Sequence, residues 1–541
     1  MSDRTGKQKQ NTMFGGVAVL AVGIAIVKLI GALFKIPLFN VLGESGATDF
    51  NNAYAIYSVL LTISTAGLPV ALSKTVSEAN TLGRVNQKQK VFRVALTAFL
   101  TMGLVSFVVM WFGADRLAGM MNNSHAAPGI MALAPAVVCV GCLSAFRGYA
   151  QGHMNMTPTA VSQIMEALCK LFLGLGLAAM VMGGGFAFIP QTERTSYAAA
   201  GAITGVTVGT VLALVYMSVN YLRTRARTGQ TGTDRPDSSG RIFGNLMRIA
   251  VPITLSTSLV PIINVLDNSL VLGQLQDALG MTEEASRALY GNYAVAVSLH
   301  NLPGSFMTAF TAAIIPAVSA ALARRDSAGA ARITGSVLRI TALLAMPMGV
   351  GLMVMAEPIM RLLYPGYDVT ITGPLLSVAG LAAICVCLVL VSNSVLQAYG
   401  HVNLPIVTTL IGGGVKVLSN YHLVAIPEIN IHGAPMGLLL CYAVTLTLNL
   451  VLLRRTADGI GRYLSMFGKP LAASMVMGGA AWAVYGLSAN LLGNTLALLG
   501  AIGVAVAVYL VLVLTLRAVS RDDVMLMPKG EKIAKILRFS C

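Results

Sequence analysis

Four lysines lie inside otherwise apolar stretches of the sequence: Lys28, Lys35, Lys170 and Lys416. A basic residue at the centre of a membrane helix costs about 2.5 to 3.5 kcal/mol on insertion scales, so such residues usually face a cavity or a partner. Ammonium groups that line a cavity can donate charge-assisted hydrogen bonds to phosphate oxygens. These lysines therefore predict a site for an anion such as phosphate or pyrophosphate.

Two carboxylates share these apolar stretches, Glu166 and Asp267. Glu166 precedes Lys170 by four residues, a spacing that fits an ion pair on one helix face, although a role in a cavity fits as well. Asp267 is either a counter-charge or ion site, or a satisfied residue near the outer interface. Four lysines against two acids favour an anionic substrate over a cationic drug.

The elements that must position these residues are membrane helices. The chain has 541 residues, of which 56% are hydrophobic and 11% charged, whereas globular domains have about 25% charged residues. A helix needs about 20 apolar residues to cross a bilayer, and runs of that length recur along the chain. We therefore expect an all-α integral membrane protein with about fourteen transmembrane helices.

The distribution of positive charge gives the orientation. With fourteen spans, 29 of the 37 Lys and Arg residues fall in segments on one side and 4 in segments on the other. Cytoplasmic loops are the ones enriched in Lys and Arg, so both termini are expected in the cytoplasm. The net charge of +16 then predicts attraction to anionic lipids of the inner leaflet and calls for no nucleic-acid partner.

One polar motif occurs twice. Residues 148–158 read GYAQGHMNMTP and residues 397–405 read QAYGHVNLP, and the two motifs are 248 residues apart. Pro69 and Pro316, which each precede a basic loop, are 247 residues apart. Chance similarity of turn motifs is the alternative, because Gly, Asn and Pro are common in turns. The agreement of the two offsets favours an internal repeat.

The repeat predicts two six-helix lobes, related by an axis along the membrane normal because equivalent loops fall on one face. Such an arrangement suits alternating access around a central site. The predicted regions are an N-terminal lobe at 1–222, a cytoplasmic linker at 223–247, a C-terminal lobe at 248–455, and two more helices with a basic tail at 456–541.

Other kinds of chemistry find little support. The sequence lacks a G-x-x-x-x-G-K-[ST] phosphate loop, which makes ATP hydrolysis unexpected. No cofactor is expected, and the energy source left is a coupling ion or the membrane potential. His153, His300 and His401 do not form a metal-binding pattern and are expected in turns or packing. Cys139 and Cys142 lie within a predicted span, where packing is the expected role.

Three stretches, GLPVALSKTVSEA, FRGYAQGHMNMTPTAVSQIMEALCKL and GVKVLSN, resemble the polysaccharide-transport branch of the multidrug, oligosaccharidyl-lipid and polysaccharide exporter superfamily. The likeness is to the stage V sporulation protein B group and the related lipid II flippases. It implies a flippase, not an enzyme, in the bacterial cytoplasmic membrane. Its substrate would be an undecaprenyl-pyrophosphate-linked saccharide, for the vegetative wall or the spore, and cell-wall synthesis enzymes are possible partners.

The same resemblance implies a binding site. Lys28 matches the position of a family arginine in the first helix, and lysine there keeps the charge but loses bidentate phosphate recognition. Arg147 matches a family arginine near the cytoplasmic mouth, with anchoring to lipid headgroups as the alternative. We expect Lys28, with Lys170 and Lys416, to capture the pyrophosphate, and Lys35 to lie nearer the outer end of its helix.

Two other classes of protein remain as alternatives. A cation-coupled multidrug exporter of the same superfamily shares the two-lobe plan but typically has twelve helices. A membrane glycosyltransferase or ligase would need catalytic carboxylates on the outer face. The acids predicted there, Glu44, Asp49, Glu283 and Glu284, are scattered along the sequence without a recognisable catalytic arrangement.

Overall fold

The computed structural model describes residues 2–186, 189–228, 232–457 and 459–518, and every regular element in these ranges is a helix. The basic tail predicted at the C-terminus lies outside the described residues from 519 onward. The α-helices are, in chain order, α1 (Ser2–Thr65), α2 (Gly67–Thr81), α3 (Val85–Phe112), α4 (Ala114–Met120), α5 (Ala127–Gly152), α6 (Thr157–Cys169), α7 (Leu175–Met182), α8 (Arg194–Thr228), α9 (Ser239–Gly273), α10 (Glu283–Ala323), α11 (Ser327–Val354), α12 (Ala356–Leu363), α13 (Val369–Ala398), α14 (Leu404–Leu423), α15 (Gly433–Thr456) and α16 (Tyr463–Thr515).

Glycines divide the two longest segments. Gly43 within α1 has φ 67° and ψ −173°, and Gly493 within α16 has φ 75° and ψ 167°. Glycine adopts positive φ without the steric penalty that a Cβ brings. Each segment is therefore two helices joined at a glycine.

Ten segments of the described residues are long and apolar enough to span a membrane. Two of them, Ile26–Thr81 and Tyr463–Thr515, contain the glycine joints and have 56 and 53 residues. One crossing needs only about 20 residues. The prediction of an all-helical membrane protein is confirmed, whereas the count of fourteen spans stays a prediction.

The chain divides into two compact units, Met1–Gly291 and Asn292–Cys541. In the first unit, α2, α3, α5 and α9 share a buried core that includes Leu72, Phe99 and Leu246. Gly67 allows α9 to approach α2, since a Cβ at this position would overlap the carbonyl oxygen of Ala250. The predicted lobes, with their boundary at the linker, stay a prediction.

The core of the second unit lies among α11, α13 and α16. Met346 on α11, Ile384 on α13 and Met477 with Leu498 on α16 are buried in one cluster. Residues from both helices of the glycine-joined α16 take part, so its two parts pack on the same neighbours.

Each copy of the repeated motif joins two helices, α5 to α6 and α13 to α14, and a proline lies in the first turn of the second helix. The two turns nevertheless differ. After α5 the residue with positive φ is Met154 (59°), whereas after α13 it is Gly400 (90°). Gly152 is still helical and packs on α2, where a Cβ would lie 2.8 Å from the side chain of Val76. The two equivalent glycines are therefore required for different reasons.

Helix occupies much of the predicted linker, because α8 extends to Thr228 and α9 begins at Ser239. Residues 232–238 run along the start of α3. Asp234 accepts hydrogen bonds from the backbone N–H groups of Asn86 (2.8 Å) and Gln87 (2.9 Å). These N–H groups have no acceptor within the helix, so Asp234 provides the cap from a distant part of the chain.

Candidate functional site

Lys170 lies in a cage of aromatic rings in the first unit. It begins a π-helical segment, Lys170–Gly174, between α6 and α7. Its Nζ atom is 4.9 Å from the ring centroid of Phe34, 4.8 Å from that of Tyr54 and 6.0 Å from that of Phe50, all on α1. Rings attract a cation through their quadrupole and bring no negative charge of their own, so they do not form an ion pair with it. Single-turn π segments are frequent at functional sites.

Lys35 adds a second ammonium group to the same region. Its Nζ atom is 5.8 Å from the centroid of Phe39, and its charge repels that of Lys170. Among the described residues neither lysine forms a salt bridge. Two ammonium groups that repel one another and contact rings rather than carboxylates create a site where an anion would be stabilised.

Arg147 and Glu166 form an ion pair between α5 and α6. The Nη2 atom of Arg147 donates to Oε2 of Glu166 at 2.5 Å, and its Nε donates to Oγ of Ser162 at 2.9 Å. Only 14% of the Arg147 side chain and 23% of the Glu166 side chain is exposed. The four-residue spacing suggested a Glu166–Lys170 pair, but Lys170 turns to the rings of α1 and Glu166 binds a neighbouring helix.

Aromatic residues that were not predicted to belong to the site connect these charges. Phe50, Tyr54 and Tyr57 follow one face of α1 in the stretch FNNAYAIY, a spacing of three and four residues that could have revealed them. Tyr54 stacks on Phe50 and makes an edge contact with Tyr57. Tyr54 also interacts electrostatically with Glu166. We call Lys35, Tyr54, Arg147, Glu166 and Lys170 with Phe34 and Phe50 the basic–aromatic cluster.

The structure places the remaining predicted residues elsewhere. Lys28 is exposed on α1. Asp267 is buried on α9, with 1% of its surface exposed. Lys416 is buried on α14 in the second unit, where it interacts electrostatically with His300. Of the seven predicted site residues, the described contacts bring Lys35, Arg147, Glu166 and Lys170 together.

A second buried network surrounds Asp49, one of the scattered acids predicted on the outer face. Asp49 accepts two hydrogen bonds from Arg287 on α10, from Nε at 3.0 Å and from Nη2 at 2.6 Å. Asn123 and Ser196 each donate one more at 3.0 Å. Both carboxylate oxygens thus take part in a bidentate ion pair, which stabilises the fold. Asp49 is therefore not available as an acid or base for glycosyl transfer.

Comparison with known proteins shows the family to which the chain belongs. The family model described as "Polysaccharide biosynthesis protein" matches residues 14–322, more than half of the chain. The chain belongs to this family. A second model, MatE, matches residues 252–422.

Two curated relatives come from Bacillus subtilis (strain 168). Lipid II flippase MurJ is 25% identical over 460 residues, which cover 82% of this chain and 82% of the relative. Stage V sporulation protein B is 23% identical over 541 residues, which cover 96% of this chain and 98% of the relative.

Solved structures show the same fold. The inward closed conformation of lipid II flippase MurJ aligns with a TM-score of 0.68 at 13% identity and covers 92% of this chain and 98% of that structure. An inward-facing MATE family transporter of the MOP superfamily aligns with a TM-score of 0.62 at 16% identity and covers 81% and 98%. The family member described here is thus a multi-span membrane transporter of this superfamily and not an enzyme.

Proposed function

We propose that this protein is a flippase that moves an undecaprenyl-pyrophosphate-linked saccharide, such as lipid II or a related cell-wall precursor, from the inner to the outer leaflet of the bacterial cytoplasmic membrane. The observation that carries this proposal is the pair of lysines in one aromatic region of α1, Lys35 beside Phe39 and Lys170 beside Phe34 and Tyr54. A pyrophosphate brings negative charge and several acceptor oxygens to such a pair. The name of the relative MurJ supports the same substrate class.

Different residues of the basic–aromatic cluster have different roles in binding. The rings of Phe34 and Tyr54 hold the ammonium of Lys170 without neutralising it. Glu166 holds the guanidinium of Arg147 in one orientation, so that its remaining N–H groups are positioned before the anion arrives. A preorganised donor loses little freedom on binding, which favours affinity.

Residues outside the cluster have proposed roles as well. We assign Lys28, exposed on α1, and Lys416 as further contacts of the anionic headgroup during transport, and Asp267 as a counter-charge or ion site. A coupling ion or the membrane potential would drive the cycle, with both termini in the cytoplasm. Cell-wall synthesis enzymes would supply and consume the substrate, in vegetative growth or in sporulation.

The test is transport of a fluorescent undecaprenyl-pyrophosphate saccharide in proteoliposomes under an imposed ion gradient. Lys170→Met removes the charge while the flexible thioether can still pack against the rings. A hydrogen bond to a charged group contributes about 1.5 to 3 kcal/mol, so we expect flipping to fall at least tenfold. Lys74→Met is the matched control, because Lys74 is exposed on α2.

Three results would count against the proposal or a part of it. Wild-type flipping rates in Lys170→Met would remove Lys170 from the site. Unchanged rates in Lys28→Ala would remove the role of Lys28 alone. A wild type that flips none of the lipid-linked saccharides but exports cationic dyes would favour the multidrug exporter, the alternative suggested by the MatE match over residues 252–422.

A further inference from the structure

An open groove of about 800 Å³ lies between the beginning of α3 and the beginning of α9 in the first unit. Residues of α3 from Asn86 to Thr101 form one wall, and Pro236, Ser239, Gly240 and Phe243 form the other. At 1.5 Å per residue, the α3 wall is about 22 Å long. We call this feature the α3–α9 groove.

One end of the groove is polar and basic. Lys90 and Arg93 lie about one helical turn apart, next to the side-chain amide of Gln89. The amide of Asn86 also lines this end, but it donates to the carbonyls of Gly232 and Asp234. Among the described residues neither Lys90 nor Arg93 forms a salt bridge. Two cations with one amide donor beside them suit a phosphate group.

The acids of the nearby linker are engaged elsewhere. Asp234 caps the backbone of α3, as described above. Asp237 accepts a hydrogen bond from Nε2 of Gln87 at 2.8 Å, and Gln87 is not among the residues that line the groove. Of the described residues that line the groove, none carries a carboxylate, so its charge is positive.

The other end of the groove is apolar, although two threonines line it. Thr97 donates its hydroxyl to the carbonyl of Arg93 at 3.0 Å, and Thr101 donates to that of Ala98 at 2.9 Å. Their methyl groups remain as contact surface beside Val94 and Ala98. Phe243 on α9 is 45% exposed and faces the same groove. From Arg93 to Thr101 this apolar track is about 12 Å long.

A basic end that continues into an apolar track along a membrane helix matches an amphipathic anion. A soluble phosphate would leave the apolar track uncovered, and a zwitterionic lipid would not match the charge of the basic end. Basic pockets between membrane helices are known to bind anionic lipid headgroups. We propose that the α3–α9 groove binds an anionic phospholipid, with its phosphate at Lys90 and Arg93 and one acyl chain along Val94, Ala98 and Phe243.

Native mass spectrometry of the full-length protein in detergent tests this site, with dioleoyl phosphatidylglycerol and dioleoyl phosphatidylcholine as probes. A basic residue near an anionic lipid surface contributes about 1 kcal/mol. Lys90→Gln and Arg93→Gln should therefore each weaken phosphatidylglycerol binding about fivefold, and the double variant about 30-fold. Thr97→Trp should block the apolar track, since Thr97 is exposed and lines the groove.

Lys74→Gln is the control, because Lys74 is an exposed lysine on α2 that does not line this groove. It should bind phosphatidylglycerol like the wild type. Equal binding by the double variant, or equal binding of both lipids by the wild type, would overturn the proposal. If glycerol 3-phosphate competes as strongly as the lipid does, the groove is a site for a soluble anion. That result would overturn the proposal that it binds a phospholipid. Unchanged lipid-free melting temperatures establish that the variants are folded.

Discussion

Replacing Asp49 by asparagine should destabilise the first unit by about 3 to 5 kcal/mol, the effect of breaking a buried ion pair by removing one charge. Asp49 and Arg287 are 1% and 3% exposed. The guanidinium of Arg287 cannot lose its proton in a protein. In Asp49→Asn the guanidinium of Arg287 therefore stays charged and buried, but it no longer has a carboxylate to accept its two hydrogen bonds.

A double variant measures the interaction energy between Asp49 and Arg287 separately from their interactions with other residues. In Asp49→Asn/Arg287→Met no unpaired charge remains, and the asparagine introduced at position 49 can still accept from Asn123 or Ser196. We expect the double variant to be less destabilised than the sum of the two single variants by at least 2 kcal/mol, since a buried pair is worth less than the penalty of breaking it. Glu283→Gln is a control, because Glu283 accepts hydrogen bonds from Ser124 at an exposed position.

The measurement is reversible unfolding in mixed micelles, followed by tryptophan fluorescence. The chain has two tryptophans, Trp111 in the first unit and Trp482 in the second. In a Trp482→Phe background the signal comes from the first unit alone. A coupling energy below about 0.5 kcal/mol would refute the reasoning, because sites that do not interact are additive within that limit.

Three further predictions concern the first unit. Gly205→Ala would place a Cβ in overlap with the backbone nitrogen of Gly174; it should cost about 3 kcal/mol, measured by unfolding. Burial, with a contribution from the charge of Lys88, lowers the pKa of His153. Wild-type stability should thus fall as pH drops below about 6.5, and His153→Gln should lose this dependence in thermal melts at pH 5 to 8. Asp234→Ala should expose the first backbone amides of α3, seen as faster hydrogen exchange there and unchanged exchange in α5.

Much of the fold could be predicted because lipid imposes a strong constraint on sequence. Apolar runs of about 20 residues along the chain indicate membrane-spanning helices. The continuation of α1 through its bend could not be predicted, because it depends on the backbone conformation of one glycine.

The charged residues of the site could be predicted from the sequence, but their ion-pair partners could not. The cost of burying Lys35 and Lys170 marks both residues in the sequence. Spacing along one helix left a Glu166–Lys170 pair and a cavity role both open, whereas the partner of Glu166 is Arg147 on a neighbouring helix. Asp49 and Arg287 are 238 residues apart, and no local pattern connects residues at that separation.

The π-helical segment Lys170–Gly174 affects how homologous sequences should be aligned. A π turn holds one more residue than an α turn, and each residue of an α-helix advances by about 100° around the axis. A helical wheel drawn without a break from Thr157 to Met182 therefore assigns every residue after Gly174 to a face that is wrong by about 100°. An alignment gap of one residue within this helix would mark homologues in which the helix is regular, because removal of the extra residue leaves the residues before and after it on the same faces.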